Sequence, residues 1–181
     1  ALPISRMKVM VCVDGTHMSE KAFLAACTLK KEDDELYIVH SVERKSPPYA
    51  ALAAGGIIAQ PALEADAFDK FNKQLEEDGK KLLEAYVKYC REHHIKHVHP
   101  VVISSNDAKH GIVESCEKHA VDTLFVGTHD YGAVKRFFLG SFSNYLSHHC
   151  PCNVMIVKDK DAESAAKIAA SAANGGADKT A

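Results

Sequence analysis

A strand, a glycine-bounded loop, a helix start and a second strand follow one another between Leu124 and Val157, and this succession restricts the fold more than any other part of the chain. Leu124-Phe125-Val126 is a short apolar run that ends at Gly127. The polar stretch Thr128-His129-Asp130-Tyr131-Gly132-Ala133-Val134-Lys135-Arg136 comes next, then two aromatics and a leucine, then Gly140-Ser141-Phe142-Ser143. A short helical pattern, Cys150-Pro151-Cys152 and the apolar run Val154 to Val157 complete it. Glycine permits close backbone approach, and the unpaired N–H groups of a helix start attract anions. From such parts an α/β sheet builds a phosphate site at the carboxyl end of its strands.

The rest of the chain supplies the sheet. Met7 to Val13 is a continuous apolar run with Lys8 near its start, which reads as a buried central strand. After the turn Asp14-Gly15-Thr16, Ser19 is placed to cap a helix carrying Ala22, Phe23, Ala26 and Cys27. Leu36 to Val42 is a second strand, and His97 to Ile103 a third. Between those two, periodicity disappears from Glu43 to Ala65, so residues 44–65 are expected to form a mobile insertion. Asp66 then opens a long helix to about His93, with Phe68, Phe71, Leu75, Leu82, Leu83, Tyr86 and Cys90 as its apolar stripe. Gly79 interrupts that helix at a cost of about 1 kcal/mol against Ala, at a bend or a close contact. Asn106 or Asp107 caps a further helix to about Ala120, Val121 to Val126 is a fourth strand and Asn153 to Val157 a fifth. Strand–helix alternation of this kind is doubly wound α/β, a five-stranded parallel sheet with few possible topologies. Residues 7–158 read as one domain, with a short extension before it and an alanine- and lysine-rich low-complexity tail over 159–181.

Composition narrows the function classes. A net charge of −2 gives no basic footprint for nucleic acid. No apolar run approaches the ~18–20 residues of a membrane span, and Ala1 to Arg6 lacks a charged-then-apolar signal pattern. The six cysteines are spread along the predicted elements apart from the Cys150/Cys152 pair, which fits free thiols in a reducing compartment. The expected location is the cytoplasm.

The Leu124–Val157 segment is similar to the nucleotide-binding segment of the universal stress protein family, written G-2x-G-9x-G-[ST]. Gly127 takes the first position, Gly140-Ser141 the last, and Asp130 replaces the middle glycine. Lys135-Arg136, Leu139 to Ser143 and the closing Val154-Met155-Ile156-Val157 strand resemble the family too, as do Val9 to Val13 and the Asp14-Gly15-Thr16 turn. The resemblance covers roughly residues 7 to 158. It implies an adenine-nucleotide α-hydrolase-like sheet of order 3-2-1-4-5, with the switch point between strands one and four. It further implies ATP or another adenine nucleotide as a regulatory or sensing ligand, and a homodimer built on strand five. The alternative is a nucleotide-free dimeric interaction module of the same family.

Each candidate residue has two readings. Gly127 and Gly140 either bring backbone N–H groups to a phosphate or serve turns. Ser141 and Ser143 either bind phosphate or cap the helix, and the two roles are compatible. By resemblance Thr128 and Phe142 belong to the same phosphate segment. Asp14 either accepts hydrogen bonds from a ribose or forms an Asx-turn with the Thr16 N–H. Val13 and Ser41 match positions whose backbones line the family's adenine pocket. Lys135 and Arg136 are either countercharges or solvated loop residues. Asp130 departs from the family pattern: at ~5 Å and an effective dielectric of ~20 it repels each phosphate charge by about 3 kcal/mol. It also offers an oxygen ligand that suits Mg²⁺ through the ion's waters.

No catalytic constellation stands out. His129 and Asp130 are the only local candidates to position water for slow ATP hydrolysis. Metal binding is set aside for His93-His94 with His97 and His99, and for Cys150-Pro151-Cys152, which lacks the two-residue spacer of zinc hairpins.

Overall fold

The computed structural model describes residues 6–45, 61–128 and 140–158, with backbone alone for 61–65. The elements are β1 (Lys8–Cys12), α1 (His17–Leu29), β2 (Glu35–Glu43), α2 (Pro61–Glu92), β3 (Val98–Ser105), α3 (Ala108–His119), β4 (Thr123–Gly127), α4 (Ser141–His149) and β5 (Asn153–Val157). The strands form one five-stranded sheet in the order β3-β2-β1-β4-β5, and every neighbouring pair is parallel. This is the order implied by the family resemblance.

Both faces of the sheet are covered, which is why β1 reads as an unbroken apolar run. Val9, Val11 and Val13 point to one face, where they pack with Ala22, Phe23 and Ala26 of α1 and Leu83, Tyr86 and Cys90 of α2. Met10 points to the other, among Ile112 and Cys116 of α3, Leu124 and Val126 of β4 and Leu146 of α4. A strand's alternation divides one apolar sequence between two cores.

The helices differ from expectation in three respects. Thr16, not Ser19, caps α1, and its hydroxyl accepts from the Ser19 N–H. The long helix begins at Pro61, five residues before Asp66 as counted along the chain; proline suits the first helical position, since its missing N–H would be unsatisfied there anyway. Its stripe is also shifted. Phe71 is 49 % exposed, whereas Asn72 is buried and brackets the backbone of Lys45 with hydrogen bonds of 2.9 Å to its N–H and carbonyl. Of the alternative caps for α3, Asp107 accepts from the Lys109 and His110 N–H groups. Most of the 44–65 insertion and the tail from 159 lie outside the described residues.

Candidate functional site

At the carboxyl ends of β1 and β4 the chain connections diverge, and a crevice opens there of about 340 Å³. That volume is in the range of small-molecule sites. Three helix starts frame it: Thr16 and Met18 at α1, Ala108 and Lys109 at α3, Ser141 and Phe142 at α4.

The α1 wall is locked by local hydrogen bonds. Gly15 turns the chain with φ of +79°, which favours glycine. The Asp14 Oδ1 accepts from the Thr16 N–H at 3.0 Å and from its hydroxyl at 2.6 Å, so the Asx-turn forms. The Ser19 hydroxyl donates to the Thr16 carbonyl at 2.9 Å and accepts from the Asp14 N–H at 3.2 Å. Gly127 closes this wall from β4. A Cβ there would stand 2.5 Å from the Met18 carbonyl oxygen, so the glycine serves helix–strand contact.

His40 and Ser41, at the end of β2, line the crevice next to Val13. His40 Nδ1 lies 2.8 Å from the Val13 carbonyl. A carbonyl only accepts, so Nδ1 carries the proton. The ring's far side meets α2, where a Cβ on Gly79 would come within 2.9 Å of the imidazole; Gly79 is thus a close contact. The Ser41 hydroxyl donates to the Ala108 carbonyl at 3.4 Å and ties β2 to the start of α3. Cys12 also lines the crevice, and burial pushes its thiol up, away from the nucleophilic thiolate.

The start of α4 differs from the other two. Thr16 and Asp107 cap α1 and α3 through their side chains, whereas α4 has Gly140 at its cap position and, among the described residues, no side-chain cap hydrogen bond. Ser141 is exposed at the first helical position. Ser143 is 2 % exposed, and its hydroxyl turns back to donate to the Gly140 carbonyl at 3.2 Å. Lys109 extends from α3 toward this end, its Nζ 5.6 Å from the centre of the Tyr145 ring on α4.

Of the residues named from sequence, Val13, Asp14, Ser41, Gly127, Thr128, Ser141 and Phe142 line the crevice. Gly140, at the cap position of α4, and Ser143, in its first turn, lie off the lining. Asp130, Lys135 and Arg136 lie outside the described residues. Sequence reasoning missed Thr16, His40 and Lys109. His40 precedes Ser41 at the same strand end and was open to the same logic; Lys109 enters only through the position of α3.

The universal stress protein family model matches residues 5–158. The universal stress protein YxiE of Bacillus subtilis is 28 % identical over 152 residues, covering 83 % of this chain and 98 % of that protein. Among solved structures, UspA from Lactobacillus plantarum superposes with a TM-score of 0.65 at 18 % identity, over 84 % of this chain and 99 % of the other. A universal stress protein in complex with cAMP gives 0.59 at 16 %, covering 83 % and 96 %. An Arabidopsis thaliana family protein with AMP bound gives 0.54 at 21 %, covering 86 % and 93 %. With its sheet order and a family match over most of its length, the chain belongs to the universal stress protein family.

Proposed function

We propose that the chain binds an adenine nucleotide in this crevice as a regulatory or sensing ligand. The observation that carries the reading is the α4 start, a helix N-terminus with no side-chain cap among the described residues, bordering a crevice whose other two helix starts are capped. The first-turn N–H groups and the positive end of the helix dipole suit a phosphate there. Lys109 supplies a cation on the same side. Val13, His40 and Ser41 line the crevice at the ends of β1 and β2, which supports this wall for the base, and the adjoining Asp14 turn supports a ribose contact beside it. The structures named for bound AMP and cAMP support the ligand class by kinship. Asp130 then tunes which nucleotide is accepted: it opposes a triphosphate unless Mg²⁺ intervenes. The test is denaturing extraction of freshly purified protein, followed by mass spectrometry for adenine nucleotides and calorimetry with AMP and ATP. Absence of bound nucleotide together with no measurable heat for either would refute the reading.

The second part of the proposal is a homodimer through β5. This strand is the sheet's edge, and Met155 on it is 41 % exposed. An unpaired edge invites a second strand. The reading as a cytoplasmic protein rests on its free cysteines; among the described residues, no helix is long and apolar enough to cross a membrane.

A further inference from the structure

Three cysteines that the crevice does not use converge on the α3/α4 side of the sheet. Cys116 lies on α3 and is fully buried, Cys150 ends α4, and Cys152 leads into β5. Their sulfur atoms all lie within 4.8 Å of one another. Cys150 and Cys152 are half-buried. The Met10 thioether adds a further soft donor, 3.7 Å from the Cys116 sulfur. In the sequence the Cys-Pro-Cys spacing argues against a metal hairpin; the third sulfur arrives from a distant helix, where no local spacing announces it.

We propose that Cys116, Cys150 and Cys152 form a three-thiolate site for a soft, thiophilic cation, Cu(I) or Zn²⁺. The donor set selects the class of ion. No imidazole or carboxylate belongs to this group among the described residues, and sulfur ligands favour Cu(I) and zinc over Mg²⁺ or Ca²⁺. The geometry also fits. A metal–sulfur distance of about 2.3 Å sets three trigonal sulfurs about 4 Å apart, so the present spacing needs to close by less than about 1 Å. Cys150 and Cys152 flank the exposed Pro151 and are half-buried, so the adjustment falls to these two side chains rather than to the fully buried Cys116. Each thiol that coordinates as thiolate releases one proton to solvent, and no oxidant or reductant is involved.

The test is made on the reduced, metal-stripped full chain under anaerobic conditions. One equivalent of Zn²⁺, or of Cu(I) delivered as a bicinchoninate complex, is added in parallel experiments, and native mass spectrometry counts ions per chain against a competing chelator. One ion per chain is expected, and the arm in which it survives competition identifies copper or zinc. Cys150→Ser and Cys152→Ser should each weaken retention by about a hundredfold, the order expected when one ligand of a thiolate site is lost. Cys27→Ser, outside the cluster, should retain the ion fully. Both diagnostic positions are half-exposed, so these variants remain folded, which circular dichroism verifies. Retention of neither ion, or unchanged retention in the Cys150→Ser/Cys152→Ser double variant, overturns the proposal.

Discussion

Met18 lies against Gly127 so closely that a single added carbon on the glycine would stand 2.5 Å from the Met18 carbonyl oxygen and 2.7 Å from its carbonyl carbon. The first glycine of the nucleotide motif therefore has a packing duty in this fold, whatever a phosphate asks of it. Gly127→Ala must push α1 away from β4, and backbone yields less readily than a side chain. We expect a loss of about 1–3 kcal/mol, seen as a lower urea midpoint with an unchanged slope. A variant as stable as the parent would show that α1 moves freely.

Ser141→Pro separates the stability of the helix start from the phosphate-binding role proposed for it. Proline is at home in the first helical position, and Gly140 before it already has φ of −54° and ψ of 152°, a conformation that proline favours in its neighbour. Stability should hold within about 0.5 kcal/mol. The substitution removes one N–H and the hydroxyl, and a hydrogen bond to a charged group is worth about 1.5–3 kcal/mol. AMP affinity should thus fall by about tenfold or more in calorimetry, whereas Ser141→Ala, which keeps the N–H, should lose less. Equal affinities for both variants and the parent would place the phosphate elsewhere.

Asp130→Gly should raise ATP affinity in the absence of metal by about a hundredfold and AMP affinity by much less, because repulsion grows with the number of phosphate charges. Adding Mg²⁺ should narrow the difference for ATP. An equal gain for both nucleotides would contradict the electrostatic argument.

The edge of β5 has a polarity that guides the dimer test. Asn153 donates its N–H to the Asp122 carbonyl, and the Val157 carbonyl accepts from the Thr128 N–H. Alternation along a strand then turns the N–H groups of Val154 and Ile156 outward. Val154→Pro should remove an edge donor while sparing the ladder to β4, and convert dimer to monomer in sedimentation. Met155→Pro should instead break the inner ladder and cost stability. A parent chain that is monomeric at tens of micromolar, roughly where a modest interface holds, would rule the dimer out.

Much of the architecture was legible in the sequence because the strands are buried on both faces. A run such as Val9 to Val13 has no other economical reading, and the order of the sheet followed from kinship with a known family. Helix starts were harder to place. Thr16 and Ser19 are both hydroxyl residues near the same turn, and only the fold shows that Thr16 takes the cap while Ser19 bridges Asp14 and Thr16. Pro61 closes a stretch without periodicity, so nothing local marked it as the first residue of a helix. The crevice was legible where residues end strands, as at Val13 and Ser41, and hidden where a helix swings in from elsewhere, as Lys109 does. Cys116 is the same case for the sulfur cluster.

Gly79 sits on α2, outside the crevice lining, yet its lack of a side chain leaves room for the imidazole that holds the Val13 carbonyl. The position of the His40 ring on the crevice wall is thus set partly from outside it, by one hydrogen atom in place of a methyl group. Any larger residue at this position must displace the His40 ring or lengthen its hold on Val13. The shape of the crevice wall can therefore drift, or be redesigned, through a residue that does not line it.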